Sequence, residues 1–432
     1  MRRRCFTTLL CSLLWAGGAA GALPESEATP PAYQLLRFDE DYSCLADPDW
    51  RIEPLDQIKY IPLLAAHPDW YGTLGGELRE RFEGNYNPGF GRHDAEPAST
   101  WLQRVTLLAD VHAGRHLRFF AEGISGASVG GASPAPKVQN DPADLQFAFV
   151  DLIPYTTDTE RWFIRGGRFG MSLGASRLVA TRAAPNIPFR FDGVETSYHS
   201  PQWEATLFGV HPVKDVGGIA SYDAGVAFWG AYFTHWFDPG KHLGADVYYF
   251  GYKNHDAHFA AGTAAETRHS VGSRFMGNSR GWDWNLEGVL QTGTFGADDI
   301  LAWTASADVG HTWPIRTQPR LGLKVDVVSG DRNPADGRLE TFNALYFRSG
   351  YFNDASLIRP ANLIDVHPSL TVKPTAKVNL SGGGDVFWRY TTADAVYAPP
   401  GNIVVPANPA ASAYLATALD INVSWQIQRH LN

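Results

Sequence analysis

Ten arginines fall on the polar parity of stretches in which apolar and polar side chains alternate: Arg79, Arg81, Arg104, Arg118, Arg161, Arg165, Arg268, Arg274, Arg320 and Arg389. Glu77, Glu83, Asp110, Glu122, Glu195, Lys324, Asp326 and Asp385 are the charged residues grouped with them. A guanidinium presents its donors as a planar fork that grips a carboxylate bidentately, which an ammonium cannot do. The chain has 28 Arg and only 8 Lys, a bias that a GC-rich genome explains as well as carboxylate binding does. Such a set can bind and hand along anionic groups. Residue by residue, it can equally brace a wall through Arg–Asp and Arg–Glu pairs.

A denser cluster lies between residues 165 and 192, where Arg165, Arg168, Arg177, Arg182 and Arg190 accompany Asp192. This stretch is the candidate constriction. In a regular strand Arg165 and Arg168 would point to opposite faces, as would Arg177 and Arg182. A bulge at Gly166-Gly167 that reverses the parity resolves the conflict, and so does a segment that leaves the wall and folds inward. Both readings stand. The Ser329-Gly330-Asp331-Arg332 turn and the 331–362 loop offer a second inward gate, with an ordinary extracellular loop as the preferred reading.

Catalysis finds little support. No His-Glu-x-x-His helix or Walker-type loop is present, and no serine-nucleophile elbow is expected. His255-Asp256-Ala257-His258 has metal-ligand residue types, but it falls in an expected loop and reads as surface. No enzymatic activity, cofactor or metal is expected. The formal charge of −9 argues against a nucleic-acid partner.

These side chains need strands to carry them. Leu415 to Ile427 alternates odd positions that are apolar except Thr417 with Asp420, Asn422, Ser424 and Gln426, so one face is greasy and the other polar. Thirteen residues at about 3.3 Å each cross a hydrocarbon core of about 30 Å. The scheme repeats from Leu74 onward. Leu78 and Phe82 oppose Arg79 and Arg81, with Glu80 as a flaw, and Leu323 and Val325 oppose Lys324 and Asp326. Long loops fall at roughly 126–142, 213–222, 331–362 and 392–411. The expectation is an all-β fold, a transmembrane antiparallel β-barrel of about 16–18 strands over residues 71–432. Its outer face would meet outer-membrane lipid and lipopolysaccharide, and the 13% aromatic content suits interface girdles. Arg2-Arg3-Arg4, an apolar stretch and Ala20-Gly21-Ala22 read as a signal peptide over 1–22, leaving Cys44 alone and no intrachain disulfide. Residues 23–70 lack alternation and read as a periplasmic or plug-like segment, with short helices or turns at 34–46 and 52–66.

Several motifs, in order, resemble the alginate-export family of outer-membrane barrels in its broad sense. They include Phe149-Val150-Asp151-Leu152, Gly174-Ala175-Ser176-Arg177-Leu178-Val179, Phe191-Asp192-Gly193-Val194, Ser329-Gly330-Asp331-Arg332, Pro360-Ala361-Asn362-Leu363-Ile364-Asp365 and Phe387-Trp388-Arg389. The resemblance implies an eighteen-stranded barrel in the outer membrane of a Gram-negative bacterium, passing an anionic polysaccharide through an arginine-lined constriction. A periplasmic export partner would meet the N-terminal segment. A general or small-solute porin is the alternative. Family members usually add one strand beyond Arg429-His430-Leu431, so the sequence is expected to lack its last strand.

Overall fold

The computed structural model describes residues 32–86, 98–131, 136–214 and 218–431. The expected signal peptide lies outside them. The described residues divide into two compact units, 32–200 with 206–227, and 201–205 with 228–431.

In the first unit the N-terminal segment forms three 3-10 turns, Arg37–Asp39, Ser43–Ala46 and Pro48–Trp50, and one helical turn, α1 (Asp56–Lys59). Ile61–Pro62 (β1) then pairs with β2 (Trp70–Asn85). An antiparallel meander follows: β3 (Ala98–Ala113), β4 (Leu117–Gly130), β5 (Asp141–Thr156), β6 (Arg161–Phe169), β7 (Phe191–His199) and β8 (Trp203–Pro212).

The second unit continues with β9 (Val226–Trp236), β10 (Leu243–Phe259), β11 (Gly262–Ser279), β12 (Trp282–Phe295), β13 (Asp298–Thr312) and β14 (Arg320–Val328). The two-residue β15 (Arg338–Leu339) runs parallel to β13, and β16 (Leu363–Thr375), β17 (Val378–Arg389) and β20 (Tyr414–Trp425) complete the ladder. Between the last two, β18 (Val396–Ala398) and β19 (Asn402–Val405) make a separate hairpin. Among the described residues the other eighteen strands belong to one sheet. Sixteen of them are long, the number that alternation alone suggests.

Alternation decides which face each side chain takes. On β3, Leu102, Arg104, Thr106, Leu108 and Asp110 are buried, while Trp101 and Leu107 are exposed. An exposed greasy face opposite a covered polar face inverts the soluble pattern and is what a membrane wall requires. Glu80, the flaw on the apolar face, accepts from Trp101 Nε1 at 2.6 Å and from Gln103 Nε2. Arg280 and Gly281, both at positive φ, make the two-residue turn between β11 and β12, the backbone such tight hairpins need.

Four expectations change. The loop expected at 126–142 starts later, because β4 runs to Gly130, and the 392–411 loop contains the β18–β19 hairpin. His255 to His258 lie on β10, not in a loop; Asp256 and His258 are exposed there, and His258 Nδ1 meets Thr263 Oγ1 at 2.6 Å. Cys44 is disulfide-bonded.

Candidate functional site

In the first unit the wall arginines are tied up in pairs. Arg118 grips Asp110 bidentately, both contacts at 2.8 Å, and donates to Phe38 O at 2.7 Å. Arg165 grips Asp151 at 2.8 and 3.0 Å, 4.0 Å from the Phe149 ring centroid and 4.5 Å from that of Phe38. Arg168 holds Asp192 at 2.7 and 2.8 Å, Arg104 holds Glu77 at 2.7 Å, and Arg190 pairs with Asp144. Arg81 pairs with Glu83, and Glu195 accepts from Ser197. Glu122 is buried on the same face. Arg161 is more open, 37% exposed and 3.9 Å from Asp151.

The parity conflict is resolved without a bulge: β6 stays in register through Gly166 and Gly167, and the chain then leaves the wall as an inward segment. Gly166 and Gly167 are exposed in succession, then Arg168 and Phe169 are buried. Pairing with β5 and β7 stays in step through these residues, so no residue is bulged out. Gly167, at φ +137°, turns the chain over instead. A Cβ there would lie 2.3 Å from Ala148 O, so only glycine fits.

After β6 the chain leaves the wall. Residues 170–190 cross the polar face and are held by backbone carbonyls. Arg79 donates to Ala183 O, Ala184 O and Pro185 O at 2.8–3.2 Å. Arg81 and Arg104 add bonds to Ala184 O and Ala183 O at 2.6 and 3.1 Å. Asn186 is fully buried and donates to Ala127 O and Gln139 O, both at 2.9 Å. Arg177 and Arg182 ride on this segment, Arg182 lying 5.2 Å from the Phe189 ring.

The N-terminal segment occupies the same face. Phe38 packs edge-on against Phe120, Phe147 and Phe149 at 5.1–5.7 Å, and Tyr60, Tyr71 and His112 stack in succession. Burial pushes the Asp39 carboxyl up to about 6, against the pull of Arg165 and Arg118.

In the second unit Arg274 bonds Asp246, Arg320 forks Asp283 at 2.6 and 2.9 Å, and Lys324 lies 3.3 Å from Asp326. Arg268, fully buried, bonds Glu266, Gln291 and Thr341 O. Asp385 accepts from Asn353, and Arg389 donates to Ser412 O at 2.6 Å. Gln291 of β12 and Asn343 pin the 340–362 loop over this wall, and Arg359 ties the loop to Pro400 O at 2.7 Å. That loop is folded onto the sheet rather than free of it.

Asp144, Asp151, Asp246, Glu266 and Asn186 are buried on the polar face without being among the site residues expected from the sequence. Asp151 sits two positions after Phe149 on one face, a same-parity signal that was legible. Asn186 had only its neighbour Pro185 to mark it. The letters Gly277-Asn278-Ser279-Arg280-Gly281 do match Gly-x-Ser-x-Gly, but they form the β11–β12 hairpin turn. A nucleophile elbow needs a strand-to-helix turn.

A membrane-type antiparallel barrel whose polar face carries paired charges and inward-folded segments defines the porin class of channels. Residues 70–432 match the family described as alginate export, and the chain belongs to that family. It is an outer-membrane channel protein of the Gram-negative type. Three solved structures share the fold. OccK3 (OpdO) of Pseudomonas aeruginosa is 12% identical, with 77% of this chain and 82% of that one covered and a TM-score of 0.51. A BenF-like porin from Pseudomonas fluorescens Pf-5 is 10% identical, with 76% and 86% covered and a TM-score of 0.53. The outer-membrane protein opdK of Pseudomonas aeruginosa is 11% identical, with 78% and 85% covered and a TM-score of 0.53. At these identities the likeness is one of fold alone. No curated protein matches the chain by sequence.

Proposed function

We propose that this protein passes an anionic polysaccharide, an alginate-like polyuronate, across the outer membrane. The observation that carries this reading is the 170–190 segment, which has three arginines and no acid and is folded inward under the grip of Arg79, Arg81 and Arg104. A polyuronate bears a carboxylate on every sugar. Traffic requires contacts favourable enough to admit each group and weak enough to release it, and arginines already shared with backbone carbonyls or acids bind a newcomer only moderately. Family membership supports the substrate class.

The test is single-channel conductance of the refolded mature chain in a planar bilayer, titrated with polyuronate and with a neutral glucan. Block by polyuronate alone, weakened in an Arg177→Gln/Arg182→Gln variant, supports the reading. Indifference to both polymers favours a general porin. One observation leans that way: Arg118, Arg165, Arg268 and Arg274 are each neutralised by a carboxylate within the wall.

A further inference from the structure

On the second unit, the polar face of β14, β16, β17 and β20 collects acids that the arginines above do not reach. Asp326 stands directly opposite Asp365, and Lys324 opposite His367. Cross-strand partners of this kind have their Cβ atoms about 5 Å apart. His367 Nδ1 lies 2.7 Å from Asp385 Oδ1. His367, Asp385 and Asp420, on three successively paired strands, each offer one ligand atom, all within 4.8 Å of one another. Gly383 keeps the space between them clear, since a Cβ there would lie 2.6 Å from His367 Nε2 and 3.2 Å from Asp420 Oδ1.

A second observation points to a cation. Asp365 is fully buried on the same face, and neither of its carboxylate oxygens has a hydrogen-bond partner among the described residues. Asp420 Oδ1 is likewise buried without one. Buried carboxylate oxygens are costly unless a donor or a metal compensates them. Lys324 contacts Asp326 and donates to Tyr351 O, which leaves the charge of Asp365, Asp385 and Asp420 in excess.

We propose that His367, Asp385 and Asp420 bind a divalent first-row metal ion of the Zn²⁺ type, with Asp365 as the buried counter-charge beside it. An imidazole among carboxylates suits such an ion better than Ca²⁺, which prefers all-oxygen shells. Ligands of tetrahedral Zn²⁺ sit about 3.3 Å from one another, so His367 Nδ1 and Asp385 Oδ1, now 2.7 Å apart, must separate while the wider spacings, up to 4.8 Å, close. The clip joins β16, β17 and β20. It departs from the metal-free expectation drawn from the sequence.

The test uses the refolded mature chain in detergent micelles, titrated with Zn²⁺, Co²⁺ and Ca²⁺. We expect one Zn²⁺ per chain, a raised unfolding temperature reversed by chelator, and Co²⁺ absorption bands typical of imidazole ligation. Zn²⁺ should shield His367, and not exposed His258, from diethylpyrocarbonate. Affinity should fall about tenfold or more in His367→Gln and Asp420→Asn. Should those variants fail to fold, the wild-type shielding pattern decides. Absence of saturable Zn²⁺ binding, saturable binding that leaves His367 reactive, or preference for Ca²⁺ over Zn²⁺ would overturn the proposal.

Discussion

At the scale of single residues the polar face is a set of compensated charges, and its energetics follow from burial. Asp151 is fully buried under the Arg165 fork. Removing one partner of such a pair strands the other, at a cost of roughly 3–5 kcal/mol. Asp151→Ala should therefore lower unfolding stability by about that much, while an Asp151→Asn/Arg165→Gln double variant loses less. Urea unfolding from lipid vesicles reads both. If the single variant is no weaker than the double, the pair is not coupled as described. Asp39 makes a pH prediction. Its carboxyl titrates near 6 in place against a usual value of 3.8, so the docked segment holds more protons than the free one between those values. Docking must then weaken as pH rises through that window and level off above it. Hydrogen exchange of residues 36–45, corrected for intrinsic rates, should be slower at pH 5 than at pH 7.5. Asp39→Asn should abolish the difference.

At the scale of elements, two segments and one glycine shape the polar face. Phe38 anchors the N-terminal segment through three edge-on aromatic contacts, and truncating a buried Phe costs about 3–5 kcal/mol. Phe38→Ala should release the segment, so that trypsin cuts at Arg37 and Arg51 much faster while the strands stay intact. Unchanged cleavage would mean that docking rests on other contacts. Gly167→Ala should hinder folding outright, since its Cβ would collide with Ala148 O in a left-handed backbone. The strands themselves were legible because alternation is a local signal. Leu78 and Arg79 already declare their faces. Which carboxylate each arginine takes was not legible, because Asp144 and Arg190 lie 46 residues apart and meet only once the chain has turned inward at Phe169. In the N-terminal segment, nothing near Phe38 in the sequence announces Phe120, Phe147 and Phe149 as its partners.

At the scale of the whole molecule, two charge counts disagree, and the disagreement can be measured. The full chain carries −9, and removal of the expected signal, with its three arginines, would make the remainder more negative. A pore governed by that total would favour cations. Residues 165–192 hold five arginines against one acid, and the 170–190 part of that stretch folds onto the polar face. A pore governed by this arginine cluster would favour anions. Screening separates the two influences. The Debye length is about 10 Å at 0.1 M salt and about 3 Å at 1 M, so charges distant from the path fade with added salt while those touching the permeant persist. In a tenfold salt gradient the reversal potential of the wild type should take the anion-selective sign. That sign should survive at 1 M on the concentrated side, and Arg177→Gln/Arg182→Gln should move it toward zero. A cation-selective sign at low salt that vanishes at high salt would mean that the acidic total governs permeation. The 170–190 segment would then be a brace across the polar face rather than the filter.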